Sequence, residues 1–216
     1  MALYRLHHLI GTRMFKKLFS TSVLIAFASV AWSQDIAPDE LVRKSTSEVL
    51  AMLKADKELA AGDPAKVDKL ANEKILPYFN FQRMTQLAVG RPWREASDQQ
   101  KTALIEEFRK LLVRTYSSSL SQFRNQTIEV RPLKLAATDT EVVVKTVILQ
   151  SGAAAIPIDY SMEKTREGWK VFDVLIDGVS LVTNYRSSFA TEIKNTGIDG
   201  LVKSLSDRNA KNVARK

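Results

Sequence analysis

The hydrophobic period of this chain changes twice along its length, and that limits what it can fold into more than any other feature. Through residues 39–123 the apolar side chains recur at helical spacing, through 128–176 they alternate, and from Leu181 the helical spacing returns. A helical period buries one stripe of a helix and a period of two buries one face of a strand, so the order is helices, then strands, then helices. Local signals divide these blocks. Pro38 can open a helix over 39–60, which Gly62 closes, and Asp63-Pro64 starts another that carries Val67, Leu70, Ala71 and Ile75 and stops at Pro77. Residues 80–89 make a short third helix ended by Gly90. Ser97-Asp98-Gln99-Gln100 reads as a capping box for the longest helix, expected to reach about Arg124, with Leu104, Phe108, Leu111, Leu112 and Tyr116 on one broad face.

Four strands follow: one at Ile128 and Val130, one through Val142, Val144 and Ile148, one through Ile156, Ile158, Tyr160 and Met162, and one over 169–176. Short turns at Ser151-Gly152 and at Thr165-Arg166-Glu167-Gly168 imply that the last three form an antiparallel meander. In the third strand Ile156, Ile158, Tyr160 and Met162 share one face and Pro157, Asp159, Ser161 and Glu163 the other, so one face is dry and the other wet. A final helical region through Leu181, Tyr185, Phe189 and Ile193 is broken at Gly197 and resumes over Ile198, Leu201, Val202 and Leu205. The expected fold class is α+β, with N-terminal helices laid over a curved antiparallel four-stranded sheet and C-terminal helices after it. Alternation alone leaves open whether the dry face is filled by side chains or encloses a ligand.

The N-terminus reads as an export signal. Lys16 and Lys17 precede an apolar run over 18–30, and Ala31-Trp32-Ser33 offers small residues at the positions a signal peptidase inspects, so residues 1–33 are expected to be a cleaved signal peptide. Met14 is the expected translation start. Cleavage removes Arg5, Arg13, Lys16 and Lys17 and no acid, which lowers the formal charge from +8 to +4. Much of that excess falls in the last segment, with Arg208, Lys211, Arg215 and Lys216, so it describes a solvated tail over 209–216 and not a nucleic-acid groove. A single domain over 34–208 remains. It has no cysteine, and both histidines, His7 and His8, lie in the removed segment. Ser-His and Cys-His nucleophile systems and nearly all zinc sites are thereby excluded, and acid-base work would fall to carboxylates, tyrosines or lysines.

Several segments together resemble one family, the MlaC-like periplasmic phospholipid-binding proteins of the maintenance-of-lipid-asymmetry pathway, also known as toluene-tolerance auxiliary proteins. They are Ile75-Leu76-Pro77-Tyr78-Phe79, then Leu87-Ala88-Val89-Gly90-Arg91-Pro92-Trp93, then Phe108-Arg109-Lys110-Leu111-Leu112 with Tyr116, then Gly168-Trp169-Lys170-Val171-Phe172-Asp173-Val174. The most specific is the run from Asp177-Gly178-Val179-Ser180-Leu181 through Asn184-Tyr185-Arg186 to Phe189. The resemblance implies an NTF2-like cone enclosing an apolar cavity that holds acyl chains. It also implies a monomer in the periplasm that carries phospholipid between an outer-membrane lipoprotein complex and the substrate-binding subunit of an inner-membrane ABC transporter, with lipid as cargo and no cofactor.

On that reading the lipid-facing residues are Leu104, Phe108, Leu111, Leu112, Tyr116, Val144, Ile158, Tyr160, Val171, Val174, Val179, Tyr185 and Phe189, and Arg186 is a candidate for the head group because a guanidinium matches phosphate geometry. Two other readings stand beside it. Asp159, Asp173 or Asp177 could serve as general base of an isomerase- or hydratase-type cavity enzyme, with Asp173 joining Trp169 and Val171 on the dry face only if the last strand has no bulge. A chain with a solid core would instead be an adaptor that binds no lipid.

Overall fold

The computed structural model describes residues 36–120 and 126–214; the expected signal peptide, Met14, and Arg215 and Lys216 lie outside these. Helix α1 (Pro38–Ala55) starts with proline, whose missing N–H costs nothing there, and carries Asp39 and Glu40 in its first turn, where the helix dipole favours acids. The single helix expected over 39–60 is broken at Asp56. That residue takes an extended conformation and its carboxylate accepts the N–H groups of Glu58 and Leu59 at 2.9 and 3.0 Å, capping a separate helix α2 (Lys57–Ala61). Helix α3 (Pro64–Leu70) is capped by Asp63, as its sequence predicts. It passes into a π turn (Ala71–Ile75) and a 3-10 turn (Leu76–Tyr78) before α4 (Phe81–Val89). A second 3-10 turn (Arg91–Arg94) leads to α5 (Asp98–Leu120). Both halves of the capping box form, with Gln100 N–H donating to Ser97 Oγ at 3.2 Å and Ser97 N–H to Gln100 Oε1 at 2.9 Å. The stretch 121–125, into which this helix was expected to run, lies outside the described residues.

The sheet has five strands where four were expected: β1 (Thr127–Val130), β2 (Glu141–Leu149), β3 (Ile156–Thr165), β4 (Gly168–Ile176) and β5 (Val179–Ser180), all antiparallel and ordered as in the chain. The additional strand is two residues long. Asp177 at φ 50° and Gly178 at φ 78° make a two-residue Asp-Gly turn, which folds Val179 back opposite Ile176. Helix α6 (Leu181–Ala214) closes the chain and is interrupted at Gly197, whose φ of 74° and ψ of −176° only glycine accepts readily. The expected disordered tail from 209 is corrected. The helix continues to Ala214, and Asn209 is buried, donating from Nδ2 to the Glu107 carbonyl and carboxylate at 2.9 and 2.7 Å while its own carbonyl accepts from Arg114.

One irregularity decides which residues face inward. Tyr160 pairs with Val174 and Ser161 with Asp173, yet Met162 pairs with Val171, so β4 carries one residue more than its partner at Phe172. The bulge lets Trp169, Val171, Val174 and Ile176 share the dry face with Val144, Ile158, Tyr160 and Met162, while Asp173 lies on the other side. There the Asp173 carboxylate accepts from the backbone N–H of Val182 at 3.1 Å and from Ser180 Oγ at 2.5 Å, fixing the start of α6. The helical layer has its own core. Phe108 of α5 meets Tyr185 and Phe189 of α6 edge-on, each with ring centroids 5.1 Å away, and Leu104, Leu201 and Leu205 surround them.

These two sites should respond very differently to truncation. Phe108→Ala, which empties a fully buried position, should lower unfolding stability by about 3–5 kcal/mol in a urea titration, whereas Asp173→Ala, which removes a cap, should cost about 1 kcal/mol. Equal losses would mean that Asp173 does more than hold the α6 start.

Candidate functional site

The dry face of the sheet is covered only in part. The N-terminal half of α1 rests on it through Val42, which packs with Val130, Val144, Met162, Trp169, Val171 and Val174. The other half leans away onto α2 and α3, where Val49 and Leu53 pack with Leu59, Val67 and Leu70. Between these two clusters and the aromatic core of α5 and α6 lies a cavity of about 570 Å³, within the size range of ligand pockets. Its sheet wall consists of Ile128, Ile148, Ile156, Ile158, Tyr160, Met162, Val171, Val174 and Ile176. Opposite stand Leu50 and Leu53 of α1, Ile75 and Leu76 of the irregular turns, Phe79, Phe81 and Met84 near α4, and Leu112, Val113 and Tyr116 of α5.

Polar groups are few and sit in distinct places. Lys74 is the one charged residue of the wall among those described, and its Nζ lies 2.6 Å from Glu48 Oε1. The hydrogen bond and charge of Glu48 raise the Lys74 pKa, and Lys74 in turn lowers that of Glu48. Both groups reach solvent. Tyr160 leaves part of its surface facing the hollow, yet the hollow is not bulk water, and this burial pushes its phenol up to about 12, opposed in part by the Thr146 hydroxyl. Burial, with the neighbouring Tyr185 second, also raises Tyr116. No carboxylate lines the wall among the described residues, and no group of three His, Cys, Asp or Glu residues could hold a metal there. Such a surface is apolar over most of its area, as burial of hydrocarbon requires.

The residues named from sequence separate into groups. Leu112, Tyr116, Ile158, Tyr160, Val171 and Val174 stand in the wall. Leu104, Phe108, Leu111, Tyr185 and Phe189 do not; their stripe meets the other helix and forms the interhelical core. Val144 is on the dry face but fully buried among its neighbours. Val179 corrects the expectation most sharply: it shares its side of the sheet with Ile176, but on a two-residue edge strand it is 59% exposed and outside the wall. Arg186 is likewise not at the cavity. Its guanidinium packs beside Gly90, where an added Cβ would sit 3.4 Å from Nε. Asp159 and Asp177 also lie outside the wall, like Asp173. What the sequence reading missed is the contribution of α1 and the irregular turns, including Leu50, Lys74, Ile75 and Phe79. The apolar stripe of α1 was visible, but a stripe does not reveal whether it meets a neighbour or a hollow.

A family profile described as MlaC protein matches residues 43–207. The chain belongs to the MlaC family. Among curated members, it is 23% identical over 193 residues to the intermembrane phospholipid transport system binding protein MlaC of Haemophilus influenzae, covering 87% of this chain and 90% of that protein. It is 26% identical over 163 residues to the toluene tolerance protein ttg2D of Pseudomonas putida, covering 75% of each. A solved structure of the phospholipid-binding protein from Ralstonia solanacearum, in complex with a phospholipid, superposes with a TM-score of 0.75 at 40% identity, covering 80% of this chain and 97% of that one. The MlaC-family fold thus accounts for nearly all of the described residues.

The state of Tyr160 can be read directly. Because its folded pKa lies above the unfolded value of 10.0, its contribution to stability is complete below pH 10 and is lost as pH rises toward about 12. Alkaline titration of tyrosinate absorbance should show a late phase near pH 12 that Tyr160→Phe lacks. The variant should also lose less stability than the parent between pH 10 and 12. A phenol that titrates at the ordinary tyrosine value would mean that water reaches the inner wall.

Proposed function

We propose that this protein is a periplasmic phospholipid carrier, exported through a cleaved signal over residues 1–33, which holds the acyl chains of its cargo in the cavity between sheet and helices. It is a carrier and not an enzyme, and its cargo takes the place of any cofactor. The observation that carries this reading is the apolar cavity of about 570 Å³, walled by aliphatic and aromatic side chains. Membership of the MlaC family supports it, as do the names of the relatives and the phospholipid in the Ralstonia structure. No described helix is long and apolar enough to cross a membrane.

The physical need for such a protein is large. At roughly 0.8 kcal/mol per buried methylene, the thirty or so methylenes of a diacyl lipid represent on the order of 20 kcal/mol against free passage through water. Spontaneous release is negligible, so transfer requires a docked partner that offers the chains another apolar surface while the cavity opens. The partners in this reading are an outer-membrane lipoprotein complex on one side and the substrate-binding subunit of an inner-membrane ABC transporter on the other. The shuttle maintains the lipid asymmetry of the outer membrane. The cavity-enzyme alternative loses its best candidate base, because Asp173 lies outside the wall and accepts at the start of α6.

Organic extraction and mass spectrometry of the purified protein should return phospholipid at near one molecule per chain. Ile158→Asp, which sets a carboxylate in the sheet wall, should lower the bound lipid at least about tenfold while the circular dichroism spectrum is retained. Purified parent protein that yields no lipid, or a water-soluble metabolite instead, would end the carrier reading.

A further inference from the structure

Among the described residues of this largely apolar wall, Lys74 is the one that carries a charge. Lys74 lies in the π turn, where the additional residue per turn rotates the side chains that follow by about 100° relative to an α-helix. Ala71, Lys74 and Ile75 all reach the cavity from this turn. The Lys74 side chain is 36% exposed, so its ammonium stands at the solvent edge of the hollow and not in its depth. Glu48 of α1, 41% exposed, holds it from the solvent side and does not itself line the cavity. The neighbouring hydroxyls are committed elsewhere: Ser45 and Thr46 both donate to the Val42 carbonyl, at 3.2 and 2.7 Å. An ammonium has three donors and Glu48 takes one, which leaves N–H groups for an acceptor arriving at the rim.

We propose that Lys74 binds the phosphate of the cargo's head group, sharing or exchanging Glu48 as its partner, so that the rim favours a lipid bearing phosphate over an uncharged lipid with the same chains. This inference rests on the carrier reading and adds a polar subsite to it. The chemistry recognised is a phosphate oxygen. A lipid head group and free phosphate both supply one, but only the lipid is held there by its tails.

The test is a competition. Purified protein is incubated with vesicles of dioleoylphosphatidylcholine and dioleoylglycerol in equal amounts, reisolated and extracted, and the ratio of the two lipids is measured. Parent protein should take up phospholipid preferentially. In Lys74→Gln that preference should fall by about three- to tenfold, as expected for a partly screened charge-assisted hydrogen bond. Lys74→Arg should restore it. An unchanged ratio in Lys74→Gln overturns the role of Lys74 and leaves the carrier reading intact. Loss of both lipids together, with the fold retained, makes Lys74 a shaping residue and also overturns the proposal. Parent protein that takes up neither lipid sinks the carrier reading itself. Inorganic phosphate binding at Lys74, followed by phosphorus NMR, with the lipid ratio unmoved would assign the site to free phosphate and overturn the head-group role.

Discussion

The structure depends on where α1 touches the rest of the protein. It is pinned to the sheet at Val42 and to α2 and α3 at Val49 and Leu53, and the hollow lies beside the span between these anchors. Apolar atoms facing a hollow forgo the dispersion contacts that a packed interior supplies, and water entering there finds few polar partners. The fold tolerates this because its cohesion is distributed over three separate clusters, none of which needs the cavity to be filled by protein side chains. On the proposed carrier reading, hydrocarbon restores the missing contacts and the cargo acts as a removable part of the core. By mass action a tight ligand of the native state alone also stabilises that state, which couples loading to folding stability.

The bulge at Phe172 is the second device, and its effects reach beyond the strand. By shifting parity once it brings Trp169 and Val171 to the dry side without disturbing Val174 and Ile176. Asp173, next to Val174, stays on the other side and fixes the start of α6, while the Phe172 ring lies under the Arg83 guanidinium, with Cζ 3.7 Å from its centroid. Arg83 is held further by Glu163 and Glu141, at 2.6 and 2.7 Å, and so ties α4 to β2 and β3. Near the bulge, Asn80 N–H donates to the Val171 carbonyl at 2.8 Å, which occupies part of an otherwise open strand edge. A single inserted residue therefore completes the dry face, while the residues beside it secure two helices.

What was legible in the sequence is what depends on local chemistry. The capping box at Ser97, the Asp63-Pro64 start and the Gly197 break each act within a few residues, and the structure has all three. The alternation of β3 likewise put Ile158 and Tyr160 on the cavity side. Which neighbour a face meets is a long-range matter. Phe108 and Tyr185 lie on true stripes, but each stripe meets the other helix, and nothing in the spacing distinguishes that from a lipid chain. Val179 was placed by resemblance; it sits opposite Ile176 on a two-residue edge strand, 59% exposed and outside the wall. Lys74 was illegible for another reason. The α-helical period fails across a π turn, so the side chains beyond it cannot be assigned to a face by counting.

The chemistry of the wall also sets what a carrier of this kind can and cannot discriminate. Ile, Val, Leu and Phe side chains sense a chain mainly by its volume, and one methylene more or less changes the balance by only about 1 kcal/mol. Such a cavity grips tails strongly and sorts them weakly. Rejecting a lipid decisively requires a buried polar group left without a partner, and among the described residues the wall is apolar apart from Lys74, Ser45, Thr46, Gln126, Gln150 and its tyrosines. On the proposed reading selectivity is concentrated at Lys74, which with its partner Glu48 remains in contact with water. Being solvated, that pair is cheap to rearrange, which on the proposed carrier reading suits cargo release.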